Sequence, residues 1–202
     1  MSIARRVRSV ELLYARLDKE IAQFQSTTKL HCIAGCGKCC TKPDIEASPL
    51  EFLPWAFQQF LEGRALEALD RVKKSPSSIC ILFTKLSLVD LSKGRCSEYA
   101  HRGLICRLFG YAAGRDKIGQ LRLATCNIIK ENQQGDYQAT VEAINNGLSI
   151  PIFSDHYKRL AQIDFRLGNT IVPINKALQM ALAEVLHYYA YRPFPTKLKK
   201  SA

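Results

Sequence analysis

The stretch His31–Cys40, "HCIAGCGKCC", sets four thiols within nine residues, at Cys32, Cys36, Cys39 and Cys40. Four more follow at Cys80, Cys96, Cys106 and Cys126, and none after that. A chain that folds around this much sulfur must pair it, bury it or use it as ligand. Pairing into disulfides needs an oxidising compartment. The first residues, "MSIARRVRSVELLYARLDKEIAQF", are basic but hold no continuous apolar stretch and no small-residue cleavage site, and they carry Glu11, Asp18 and Glu20. They read as part of the mature protein and not as an export or mitochondrial leader. The expected compartment is the cytoplasm, where clustered cysteines more often bind metal than form disulfides.

Spacing narrows the chemistry. If the block is locally helical, Cys32 and Cys36 lie one turn apart and Cys39 follows three residues on, so three sulfurs share a face. Gly35 and Gly37 let the backbone wrap closely and free amide N–H groups to hydrogen-bond sulfur. Cys40 leaves the backbone in another direction from Cys39 and calls for a second site or an inert role. Eight thiols make two four-sulfur sites, or one such site with bystanders. All-thiolate ligation selects zinc or iron–sulfur, since magnesium and calcium want oxygen. Zinc fingers pair two-cysteine knuckles, whereas a dense triad with distant partners lies closer to cluster binding.

The partner segments differ in character. "KGRCSEY" puts Cys96 just after Gly94, where a turn would expose the thiol. "HRGLICRLF" sets Cys106 beside Arg107, with His101 and Arg102 upstream. An arginine next to a thiolate holds it in the ligand form, while the alternative is a plain surface charge. Cys80 and Cys126 sit among apolar neighbours, where a buried inert thiol is the competing reading. His31 and His101 are candidate auxiliary ligands or hydrogen-bond donors to the ligands.

The rest of the chain reads as helices. Apolar residues at three- and four-residue steps predict an amphipathic helix over Ile3 to Phe24. "ASPLEFLPWAFQQFLEGRALEALDRVKK" reads as a helical pair, with Ser48, Pro49 and Glu51 as its opening signals and a break at Gly63. "SPSS" is a linker. Short strands or a hairpin are expected around Ile79 to Leu91 and Gln120 to Thr125, in an otherwise irregular centre. Three helices follow Cys126: one closed by Asn146-Gly147, one running from an N-cap at Ser154 to Gly168-Asn169, and one between Pro173 and Pro193. Tyr188, Tyr189 and Tyr191, at the end of the last, suit core packing or capping. The tail "PFPTKLKKSA" should be frayed. The expected class is mainly α, an irregular cysteine-rich metal-binding centre surrounded by helices. Residues 1–202 would form a single domain, with 32–126 as the cysteine-cluster core, 1–31 as an N-terminal helix and 127–202 as a C-terminal helical part.

Composition adds a partner class. Of the 202 residues, 29 are Lys or Arg and 18 are Asp or Glu, a net charge of +11. That balance favours acidic partners: an acidic protein, nucleic acid or an anionic membrane surface. Short basic clusters occur at Arg5-Arg6-Arg8, Arg71-Lys73-Lys74 and Lys197-Lys199-Lys200, with no aromatic interleaving of the kind that stacks bases. No apolar run is long enough to span a membrane. A Ser–His–Asp arrangement, a P-loop and a glycine-rich dinucleotide turn are all missing. CxxxCxxC also opens radical-SAM enzymes, but the strand–helix repeats of their barrel are not seen here.

The motif order "CIAGCGKCC", "CILF", "GRCSEY", "RGLICRLF" and a later "TC" resembles the YkgJ-type cysteine-cluster proteins, described as zinc- or iron-chelating. The likeness runs from Cys32 to Cys126 and takes in all eight cysteines; Gly103 stands where the family usually has proline. The resemblance implies metal binding. A related cysteine region in a flagellin lysine methylase points to a [4Fe–4S] centre, and no single reaction is implied. Two functions follow as expectations: a cluster or zinc protein with an electron-transfer or redox-sensing role, or a zinc-stabilised interaction module that docks an acidic protein or RNA. An enzyme acting through the metal would need an open coordination position.

Overall fold

The computed structural model describes residues 1–33, 35–87 and 93–195. The described chain is mainly α, as expected, with nine helices and six short strands. The long helix α1 runs Ile3–Thr28, one turn past the predicted Phe24. Its Ser2 side chain accepts the Arg5 N–H at the start, and Lys29 closes it in the left-handed conformation (φ 60°). Its apolar stripe of Ile3, Val7, Val10, Tyr14, Leu17, Ile21 and Phe24 is buried. The 3-10 turn Pro49–Phe52 leads into α2 (Leu53–Leu61), and α3 (Ala65–Lys74) follows Gly63, which takes φ 73°. Pro54 falls in the first turn of α2, where its missing N–H costs nothing.

Three antiparallel pairs interrupt the helices. β1 (Glu46–Ala47) pairs with β6 (Val172–Pro173), β2 (Phe83–Lys85) with β3 (Gly94–Cys96), and β4 (Ala112–Arg115) with β5 (Leu121–Ala124). Between them α4 (Leu104–Leu108) carries Cys106. The two hairpins are the strands expected in the centre; the part of the first expectation that falls on residues 88–91 lies outside the described residues, as do residues 196–202 of the tail and its lysine cluster.

After Cys126 the pattern differs in two places. A short helix α5 (Asn127–Asn132) precedes α6 (Gln134–Asn145), which ends at Asn146 and Gly147 as predicted. The next run is not one helix: α7 (Phe153–Ala161) stops and α8 (Phe165–Asn169) restarts, because Asp164 caps α8 by accepting the Leu167 N–H. Ser154 lies inside α7 and is not its cap. The last helix, α9 (Ile174–Tyr189), begins directly after Pro173. Tyr189 stacks on Phe60, centroids 4.8 Å apart, whereas Tyr191 is 96% exposed and packs on nothing.

One large core joins α1, α2, α3, α4 and α9, with Phe52, Leu53, Trp55 and Phe57 at its centre. Burying these side chains is the main source of stability, at about 1.5–3 kcal/mol for each large apolar group. A half-buried ion network ties three elements to the same core. Arg6 Nη1 lies 2.7 Å from Asp164 and 3.0 Å from Glu184, whose other oxygen takes Arg166 at 2.6 Å.

Candidate metal centre

Among the described residues of the first cysteine block, Cys32, Ile33 and residues 35–37 are not helical, and Lys38–Thr41 forms a 3-10 turn. The predicted shared helical face is thus replaced by a tight loop in which Gly35 (φ 70°) and Gly37 (φ 63°) reverse the chain. Gly37 is also required sterically, since a Cβ there would lie 2.8 Å from the Phe83 ring and 2.9 Å from Gly94 N. The Gly94 N–H donates to the Gly35 carbonyl (3.1 Å), so the loop rests against the outer edge of β3. This contact brings the block beside Cys96, which sits half-buried within β3 and not on an exposed turn as expected.

The other end of the loop is held from far along the chain. The Tyr111 hydroxyl accepts the Cys32 N–H at 2.8 Å. Gln133, at the end of α5, accepts the His31 N–H and donates to the His31 carbonyl. Cys126 opens the same helix, its sulfur 3.5 Å from the Ile129 N–H it accepts. Sequence separations of 79 and 102 residues left no signal for Tyr111 or Gln133.

All eight cysteines are free thiols, Cys32 exposed and the other seven half-buried. Cys32 is exposed at the surface, yet partial desolvation and then the nearby thiolate charges of Cys36, Cys39 and Cys126 raise it to about 11. Cys80, Cys96 and Cys106 instead pack against the large core. Burial raises all three, Cys80 to about 11, and Cys106 also feels Cys80 and Cys96. Cys40 is raised first by its hydrogen bond with Cys39 and by burial, then by the charges of Cys39, Cys106 and Cys80. On the 3-10 turn, Cys39 Sγ and Cys40 Sγ are 4.0 Å apart. Hydrogen bonding from Cys40 favours the Cys39 thiolate and holds the Cys40 proton in place. Cys39 also lies within electrostatic reach of Cys106. Among the described residues, no three His, Cys, Asp or Glu side chains lie close enough to hold one ion as they stand.

The two arginines part company. Arg107 is buried and does not serve Cys106: its Nη1 takes both oxygens of Asp18 (2.7 and 2.6 Å), and its other nitrogens take the Ala100 and Arg102 carbonyls. It clamps α4 to α1. Arg102 is the cation that favours the thiolates of Cys32, Cys39 and Cys96. Its guanidinium lies 4.3 Å over the Tyr99 ring and its Nε is buried without a partner. His31 is exposed with Nδ1 3.0 Å from the Lys29 carbonyl, and His101 lies 3.8 Å from Glu98. Neither histidine joins a thiol set.

One acid went unnoticed in the sequence except as a helix signal. Glu51 is fully buried, and its two oxygens accept the Ser48 N–H (2.7 Å) and the Ile105 N–H (2.9 Å), the latter next to Cys106. Tyr157 donates to it as well, yet burial outweighs these bonds and raises its carboxyl to about 7.

The donor set matches soft-metal chemistry: eight sulfurs and an arginine that offsets part of the thiolate charge. Residues 31–127, just under half of the chain, match the family model CxxCxxCC, described as "Putative zinc- or iron-chelating domain". No curated protein and no solved structure matches the chain. No helix among the described residues is long and apolar enough to cross a membrane.

Proposed function

We propose that the chain, whose residues 31–127 match the family model CxxCxxCC, holds metal through two four-thiolate groups. Cys32, Cys36, Cys39 and Cys126 make the first group, and Cys40, Cys80, Cys96 and Cys106 the second. What supports this reading is the gathering of eight free thiols about the Cys39–Cys40 turn, where the two sulfurs lie 4.0 Å apart, with Cys36 and Cys126 within electrostatic reach of Cys32, and Cys80 and Cys96 within reach of Cys106.

A [4Fe–4S] cluster is the leading occupant and zinc the other; a cluster supplies one-electron chemistry for electron transfer or redox sensing, and zinc supplies a structural cross-link. The chain's own residues prepare the site. Gly35 and Gly37 fold the loop against β3, Tyr111 and Gln133 hold its start, and Arg102 offsets part of the thiolate charge. Because the thiols are gathered without closing round a point, metal binding is coupled to local ordering. Ligation also needs deprotonated sulfur, so affinity falls with acidity. Free thiols at all eight positions suit a reducing cytoplasm.

Metal and acid-labile sulfide analysis of anaerobically purified protein tests the reading. The expected result is brown protein with iron and sulfide in equal amounts, bleached on reduction. Zinc without sulfide would end the redox role and leave a zinc-stabilised module, and neither metal would end both. Replacing Cys36 and Cys39 by serine should remove about half of the metal, and replacing Cys80 and Cys106 should remove the other half. Full metal content in either double variant would refute the assignment of those pairs.

A further inference from the structure

Arg102 is fixed at several points. Its carbonyl accepts the Arg107 Nε–H at 3.1 Å, and Arg107 is itself clamped to Asp18 on α1. Its Nη1 donates to the Tyr99 hydroxyl at 2.9 Å, and the guanidinium lies 4.3 Å over the ring of the same tyrosine. The next residue, Gly103, has Phe52 and Glu51 packed where a Cβ would stand, at 2.8 and 2.9 Å, so the backbone there is wedged against the core. One donor is left over: Arg102 Nε is buried, and no acceptor meets it among the described residues.

A buried donor on a cation is costly unless something accepts from it. Arg102 forms no ion pair with a carboxylate among the described residues, in contrast to Arg107 with Asp18. Arg6 Nε is unpaired as well, but two carboxylates, Asp164 and Glu184, take its Nη1. The charge of Arg102 acts instead on the thiolates of Cys32, Cys39 and Cys96, and on Tyr111, whose hydroxyl holds the Cys32 N–H. Those three cysteines fall in both of the proposed thiolate groups.

We infer that Arg102 is a positioning residue of the metal centre: its Nε–H is the hydrogen-bond donor to a metal-bound sulfur, and Tyr99 holds the guanidinium in place for it. The inference rests on the thiolate reading. A thiolate that binds metal keeps lone pairs that accept N–H donors, and such a bond orients the ligand and draws charge from it. Arginine supplies the donor from a rigid planar group, which the flexible ammonium of lysine does not. Charge and hydrogen bond are therefore separable, because Arg102→Lys keeps the first and loses the second.

The test uses the full-length protein, isotope-labelled at its arginine side chains and loaded with the NMR-active isotope of cadmium, a soft diamagnetic ion suited to thiolate sites. Metal content is measured on every sample, together with scalar coupling between arginine Nε–H protons and cadmium. The Arg102 Nε–H should show that coupling. Arg102→Lys should lose the signal and give up cadmium to a chelator at a concentration between those needed for the parent and for Arg102→Gln. Tyr99→Phe, which frees Nη1 but keeps the ring, should shift the same resonance at unchanged metal content, so the signal is assigned even where Arg102→Lys fails to fold. Parent-like resistance to the chelator in Arg102→Lys would reduce Arg102 to a plain charge and overturn the proposal. Absence of coupling in the parent at full metal content would overturn it too, while leaving the thiolate reading in place. A parent chain that takes up no cadmium would overturn the thiolate reading and the proposal together.

Discussion

Glu51 offers a test of how the buried core and the cysteine site are joined. Its carboxyl rises from the ordinary 4.5 to about 7 because burial penalises the charge more than the hydrogen bonds reward it. At about 1.4 kcal/mol per pH unit, holding the ionised form in the folded chain costs about 3 kcal/mol. The direction follows from proton counting. Below pH 4.5 the group is neutral in folded and unfolded chains alike, and nothing is lost. Between 4.5 and 7 the unfolded chain releases its proton while the folded chain keeps it, so stability falls as pH rises, and above about 7 the full cost stands. Glu51→Gln cannot ionise, but its amide has one acceptor oxygen for the two N–H groups of Ser48 and Ile105. Leaving one of them unpaired costs about 1–3 kcal/mol at every pH. Urea unfolding of both proteins, matched in metal content, should show the variant less stable at pH 5 and level with the parent or ahead of it at pH 8. His156, whose burial holds its imidazole below the ordinary value, is present in both proteins and cancels in the difference. A gap that stays constant between the two pH values would refute the claim that ionising Glu51 costs stability.

Two further substitutions address the loop and its charge. A Cβ on Gly94 would fall 2.2 and 2.4 Å from Phe83 ring atoms and 2.6 Å from the Thr84 carbonyl, so Gly94→Ala should cost about 1–3 kcal/mol and release metal held through Cys96. Gly63→Ala, with φ 73° but nothing within 4 Å, should cost about 1–2 kcal/mol through its backbone alone and leave metal content unchanged, a contrast read by thermal melting with metal analysis. Arg102→Gln removes the cation that favours three of the thiolates and should let a chelator strip metal at about tenfold lower concentration. Arg102→Lys should fall in between, and unchanged stripping would show that Arg102 plays no part.

What the sequence could reveal divides along a physical line. Helices whose apolar residues recur every three or four positions, α1 and α9 above all, were legible because their faces are set by local periodicity. The stops at Gly63 and Asn146-Gly147 were legible because backbone conformation there is a property of the residue itself. The eight cysteines stood out by residue type and density. How the chain holds those thiols was not legible, since it depends on pairings such as Phe83 with Cys96 and contacts such as Cys32 with Tyr111, which are far apart in the chain. The same reason explains the exchange of roles between Arg102 and Arg107: both lie near Cys106 in sequence, and only the packing of α4 on α1 turns Arg107 towards Asp18. The break between α7 and α8 was missed because Asp164 caps α8 inside a run whose apolar pattern continues across it.

The large core passes without interruption from the family segment into its flanks. Trp55 and Phe57, inside residues 31–127, are covered by α1 and α9, which lie outside it. A fragment trimmed to the family boundaries would bare those rings and lose the Asp18 anchor of Arg107, so the cysteine scaffold is held in shape by helices that contribute no sulfur. Divergence in those flanking helices can therefore retune the metal site without changing a single ligand.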